Sequence, residues 1–243
     1  MNFFDCRRRG RGDCNKERKT VAMATSHKAV RLALPRGPRT LIVVGCGRGG
    51  TSLVAGAAII LGVPMGSSPD SIIHEDMELV YAAQGRDIDG RLIDGSADNG
   101  LKKLEEIIEA RNDANDLWGW KDPSADLYLG AIAEVVRNPF IVFVNRDMAA
   151  VAQSEVKQMQ SSIEQAYDLA LIRYSRYWEL LQRLQWPTLL VSYERSLLNP
   201  ESLLCEIADF IGLEPPSERQ RGFIKQFASG RDYQQLDLAN AAV

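Results

Sequence analysis

Residues 40–62, TLIVVGCGRGGTSLVAGAAIILG, restrict what this chain can fold into more than any other stretch. Residues 41–44, led in by Thr40, are apolar and mostly β-branched, the pattern of a short buried strand. A glycine-rich turn follows, Gly45-Cys46-Gly47-Arg48-Gly49-Gly50-Thr51-Ser52, and then an Ala/Leu/Ile-rich helix. A strand, a glycine turn and a helix in that order point backbone N–H groups and a positive helix end at an anion. The glycines let backbone come close to a ligand, and Arg48 adds a fixed cationic fork suited to phosphate or sulfate. The stretch therefore predicts a phosphate cradle in an α/β domain.

Several readings of the cradle compete. Gly45, Gly47 and Gly50 fit G-x-G-x-x-G, the dinucleotide fingerprint, with Asp70 at the nominal distance for its acid. The segment before Asp70 has loop composition, however, and does not read as a second strand ending in an acid. Gly45 and Gly50 followed by Thr51-Ser52 also match a nucleoside-triphosphatase spacing, but Thr51 stands where that motif needs Lys. A third arrangement moves the positive charge into the turn as Arg48 and keeps Thr51-Ser52 at the helix start. A turn without a ligand is the plain alternative to all three.

The chain has 243 residues, 45% hydrophobic and 25% charged, enough for one α/β core. Its net charge of −3 hides an asymmetry: residues 1–39 hold eleven Lys/Arg against three acids, so the rest is strongly acidic. An acidic body argues against nucleic acid as the main ligand. The basic head around Arg7-Arg8-Arg9-Gly10-Arg11 is expected to be a solvated, disordered extension over residues 1–38, with Met23 a candidate start. No apolar segment suited to a secretory signal follows the early arginines, and the longest apolar run, residues 53–63, is far short of a membrane span. Cys6, Cys14, Cys46 and Cys205 show neither pairing nor zinc-like spacing, so free thiols in a reducing, cytoplasmic setting are expected.

Further along, helices are expected over residues 72–81, with an acidic first turn, over 101–111, over 126–136, over 148–159, over 163–184 and over 200–211 with Gly212 as cap. Strands are expected at 117–121, 140–144 and 188–192. Strands alternating with helices predict a P-loop, three-layer α/β/α domain with a central, mostly parallel sheet over residues 39–228, then a short tail (229–243). Ligands of such sheets bind at the strands' carboxyl ends.

Four stretches then resemble, in order, the sulfotransferases that use 3′-phosphoadenosine 5′-phosphosulfate (PAPS). The first is the turn from Gly45 to Ser52. The second is Trp120-Lys121-Asp122-Pro123, similar to the K-D-P element of tyrosyl-protein and bacterial sulfotransferases. The third is Arg146-Asp147 after an apolar strand, with Ser154 eight residues beyond the arginine. The fourth is Val191-Ser192-Tyr193-Glu194 with Asn199-Pro200-Glu201 and Phe210-Ile211-Gly212.

The resemblance implies that Gly47, Arg48, Gly49, Gly50, Thr51 and Ser52 hold the 5′-phosphosulfate of PAPS. It assigns Arg146 and Ser154 to the 3′-phosphate and brings Tyr193 near the nucleotide. Arg48 and Lys121 would stabilise the charge that develops during transfer. A base must take the acceptor's proton. His74, Glu75 and Asp76 are the candidates, with Glu75 mapping onto the family's glutamate and His74 second. Trp118 and Trp120 are either core or a stacking platform, and Ser229-Gly230-Arg231 falls where some members place a basic loop. The expected activity is sulfuryl transfer from PAPS to a hydroxyl or amine of a sugar, phenol, peptide or lipid headgroup, with no metal. A P-loop kinase of a small metabolite, with Asp147 as its magnesium-binding acid, and a non-catalytic nucleotide-binding relative are the alternatives.

Overall fold

The computed structural model describes residues 28–31, 37–66, 75–86 and 97–229. The basic leader with Met23, His27, Cys6 and Cys14, then Asp70, His74, residues 72–73 of the expected helix, and Gly230-Arg231 with the tail lie outside these residues.

Among the described residues, five strands form one sheet: β1 (Lys28–Arg31), β2 (Arg39–Gly45), β3 (Leu117–Lys121), β4 (Pro139–Asn145) and β5 (Thr188–Ser192). Their spatial order is β1-β5-β4-β2-β3. β2 to β5 run parallel, and β1 joins the edge antiparallel to β5, with Lys28 opposite Leu190. Lys28–Arg31 belongs to the stretch assigned from composition to the leader. From β2 the chain goes to β3 on one side and returns to β4 on the other. The crevice of this sheet therefore opens at the carboxyl end of β2, where the connections part.

Alternation along β2 builds the layers. Leu41 and Val43 face one core with helices α1 (Thr51–Ile60), α7 (Pro200–Phe210) and α8 (Glu218–Ser229). Ile42 and Val44 face the other, which holds Trp118, Trp120 and Phe143 and is covered by α2 (Met77–Ala83), α3 (Ala97–Ala114) and α5 (Ile163–Leu184). The α/β fold with a mostly parallel sheet is as the sequence predicts. The two tryptophans are core: they stack at 5.3 Å between centroids and are 1% and 0% exposed.

Local signals explain the helix ends. Asp147 accepts from Ala150 N–H to start α4 (Met148–Met159). Ser162 and Gln165 form a reciprocal capping box at the head of α5. Gly212 turns left-handed (φ 68°) just past α7. Two helix expectations change. α2 begins at Met77, because Asp76 spends its carboxylate capping Leu79 N–H, so Glu75 and Asp76 precede the helix instead of forming its first turn. Residues 126–136 form a 3-10 turn (Ala125–Leu127) and further turns, not a helix. Their N–H groups alternate between three- and four-residue closures, and the guanidinium of Arg183 lies 2.5 Å from where a side chain on Gly130 would begin. Tyr193-Glu194 open a short helix, α6 (Tyr193–Leu198).

Candidate anion-binding and transfer site

The glycine turn leaves β2 at Gly45 and enters α1 at Thr51. Gly49 N–H closes onto the Cys46 carbonyl at 2.8 Å, and a Cβ on Gly49 would lie 2.5 Å from that oxygen. Gly50 has φ 86°, and a Cβ there would collide with the Tyr193 ring at 2.1 Å. Arg48 sits in the left-handed region (φ 63°), a conformation that costs a non-glycine residue. Gly50 offers no side-chain cap to α1; Leu53 N–H closes onto the Gly50 carbonyl at 3.1 Å, and buried Thr51 and Ser52 begin the helix.

Arg146 and Ser154 come to this turn from β4 and α4. Arg48 Nε donates to Ser154 Oγ at 3.1 Å, and one guanidinium N–H of Arg146 donates to the Arg48 carbonyl at 2.7 Å. The Arg146 guanidinium also lies over the Tyr193 ring, 4.7 Å from its centroid. Arg48, Arg146, Ser154 and Tyr193 thus form one contact set. Ser154 meets Arg48 directly, whereas the sequence spacing suggested a grip shared with Arg146.

On the other side of the turn, Lys121 ends β3 with its side chain 2% exposed, and its ammonium donates to Glu75 Oε1 at 2.9 Å. Burial pulls the Lys121 pKa down, and Glu75 and then Asp122 work against that. Asp122 is pushed up to about 6 by burial, opposed by hydrogen bonds from Ser124 N–H and the Tyr128 hydroxyl. Asp76, beside Glu75, is fully buried and paired with Arg111, which also holds Glu78 at 2.7 Å. Two adjacent carboxylates therefore take different jobs: Asp76 is locked into the fold and Glu75 faces the cleft.

A cavity of about 450 Å³ joins these groups. Gly47, Arg48, Gly50, Thr51 and Ser52 line it from the turn, and Glu75, Lys121 and Asp122 from the β3 side. Arg146, Ser154 and Tyr193 are not among its lining residues: Arg146 and Ser154 reach it through Arg48, and Tyr193 packs against Gly50 and Arg146. Other lining residues had no signal in the sequence, among them four from α4 and α5. Glu155, Gln158 and Met159 come from α4, and Arg173 comes from α5, a helix whose sequence reads only as packing. Among the described residues, no group of three or more His, Cys, Asp or Glu gathers as a metal site. No helix among them is long and apolar enough to cross a membrane.

Residues 71–217 match the model of the sulfotransferase family, a match that begins beyond the glycine turn. No curated protein sequence matches the chain. Among solved structures, the chain is similar to the sulfotransferase domain of the olefin synthase of Synechococcus PCC 7002, with 16% identity, 87% of this chain and 90% of that one covered, and a TM-score of 0.53. That likeness is one of fold. Sulfotransferase STF9 of Mycobacterium avium aligns at 12% identity over 84% of this chain and 72% of its own, with a TM-score of 0.49.

Proposed function

We propose, for a chain that belongs to the sulfotransferase family, that it moves a sulfuryl group from PAPS to a hydroxyl or amine of a small or polymeric acceptor. The observation that carries this reading is the meeting of Arg48, Lys121 and Glu75 on one cavity, with the Arg146 guanidinium bound to the back of the same turn. A doubly phosphorylated, sulfated adenosine needs cations at both of its anionic ends, and these arginines supply them from just beyond the carboxyl ends of β2 and β4.

In this reading the N–H groups of the turn, Arg48, and the hydroxyls of Thr51 and Ser52 hold the 5′-phosphosulfate, and Arg146 and Ser154 take the 3′-phosphate. Tyr193 carries the Arg146 guanidinium on its ring. Glu75 takes the proton as the acceptor oxygen or nitrogen attacks sulfur. The bond from sulfur to the bridging oxygen breaks, its electron pair stays on that oxygen, and Lys121 stabilises the charge there. His74 is the second candidate base. Lys121 and Glu75 fit this division because they already pair at 2.9 Å: an ammonium there can donate to the leaving oxygen, and a carboxylate beside it can accept. The reading also takes the protein as cytoplasmic, in keeping with free thiols at Cys46 and Cys205.

The test is ligand stabilisation followed by transfer. Adenosine 3′,5′-bisphosphate, without magnesium, should raise the unfolding temperature far more than ADP. Equal stabilisation by the two sinks the proposal, and magnesium-dependent ATP binding would put a kinase in its place. With sulfate-labelled PAPS and a panel of sugars, phenols, peptides and lipid headgroups, Glu75→Gln should still bind the bisphosphate. It should lose roughly 10²–10⁴-fold in label transfer, the usual worth of a positioned base. Full activity in this variant would move the base elsewhere.

A further inference from the structure

We propose that Arg173 is a third cation of the anion site, reaching from α5 to contact the 5′-phosphosulfate group held by the glycine turn. The inference rests on the donor reading above and adds a residue that no motif supplied. Arg173 lies more than a hundred residues beyond the turn, yet its guanidinium sits directly over it. A Cβ placed on Gly47 would stand 2.9 Å from Arg173 Nη1. The side chain lines the same cavity as Arg48, Lys121, Thr51 and Ser52.

The partners of this guanidinium favour a ligand. It bonds to the Cys46 thiol, and its positive charge draws the thiol's pKa down against the larger upward push of burial. A thiol is a weak acceptor for a guanidinium, which presents five N–H donors matched to phosphate and sulfate oxygens. The nearby carboxylate of Asp126 pairs with Arg176 at 3.1 Å, and Arg173 acts on it only as a lesser, more remote charge. An anion in the cavity therefore offers Arg173 a stronger partner than the one it has. The geometry also gives a second reason for glycine at position 47: any side chain there would push the guanidinium off the turn.

Two ligands separate this role from a structural one. Adenosine 3′,5′-bisphosphate carries the 5′-phosphate, and adenosine 3′-monophosphate lacks it. Measured by calorimetry, Arg173→Ala should weaken the bisphosphate by about ten- to a hundredfold, the worth of a hydrogen bond to a charged group. It should leave the monophosphate at wild-type affinity. Arg173→Lys should recover part of the loss, since it keeps the charge but not the fork. Gly47→Ala displaces the guanidinium without removing it and should show the same selective loss, which keeps the test open if Arg173→Ala folds poorly. Wild-type affinity for the bisphosphate in both Arg173→Ala and Gly47→Ala would overturn the inference. So would an equal loss of both ligands, which marks a packing role. A wild-type protein that binds no bisphosphate would instead overturn the donor reading beneath it.

Discussion

Asp122 shares the burial of Lys121 at the end of β3, and at 4% exposure its charged form is costly to the fold. Its pKa rises from 3.8 to about 6, so the folded chain binds more protons than the unfolded one between those values. Stability contributed by this group is then present at the acid side and is lost as pH rises through about 6. Asp122→Asn keeps an acceptor for Ser124 N–H and removes the charge. It should leave the urea midpoint near its wild-type value at about pH 4 and stabilise the chain by up to about 3 kcal/mol at about pH 7. An equal effect at both pH values would locate the change in packing instead. Residues of this kind were only partly legible. Lys121 and the turn stood out because their chemistry sits in local motifs. The choice among His74, Glu75 and Asp76 did not, since all three carry titratable groups in a row and no periodicity says which points where. What separates Glu75 from Asp76 is Arg111, thirty-five positions from Asp76 and paired with it across the gap between α2 and α3.

Among the elements, α1 shows how packing overrules propensity. Gly56 lies mid-helix, where alanine would ordinarily be about 1 kcal/mol better. In the fold, a Cβ there would lie 2.3 Å from the Phe227 ring of α8. Gly56→Ala should therefore destabilise the protein by about 1–3 kcal/mol, as overpacking does. The same substitution in a Phe227→Leu background should be close to neutral. Urea unfolding of the four proteins checks this, and a stabilised single variant would refute it. Elements with strong ends were readable: α4, α5, β3 and β5 have the boundaries their caps, prolines and apolar runs imply. Residues 126–136 were not, because their apolar spacing is helix-like while the Asp122–Ser124 bond and the Arg183 contact at Gly130 hold them in turns. β1 was hidden for a different cause: a basic strand at a sheet edge takes its place from backbone pairing with β5 and leaves little pattern in its side chains.

For the whole molecule, the parallel sheet is what turns scattered motifs into one site. β2, β3, β4 and β5 end on one edge, so Gly45, Lys121, Asn145 and Ser192 open onto a common side, and the residues that follow them meet there. That convergence makes the two arginines energetically dependent. Arg146 donates to the carbonyl of Arg48 and so holds the turn that aims the Arg48 guanidinium. Removing Arg146 should both lose the phosphate contact proposed for it and loosen Arg48, so each residue is worth less once the other is gone. In a double-mutant cycle on adenosine 3′,5′-bisphosphate binding, Arg48→Ala with Arg146→Ala should fall short of the summed single losses by about 0.5–3 kcal/mol. Lys225, which pairs with Glu201 on the α7–α8 side, provides the reference. Arg146→Ala combined with Lys225→Ala should add within about 0.5 kcal/mol, because these residues share no partner and only Arg146 belongs to the proposed donor site. Additivity in both cycles would mean that β2 and β4 carry independent anion contacts, and the view of the turn as one unit braced from behind would fail.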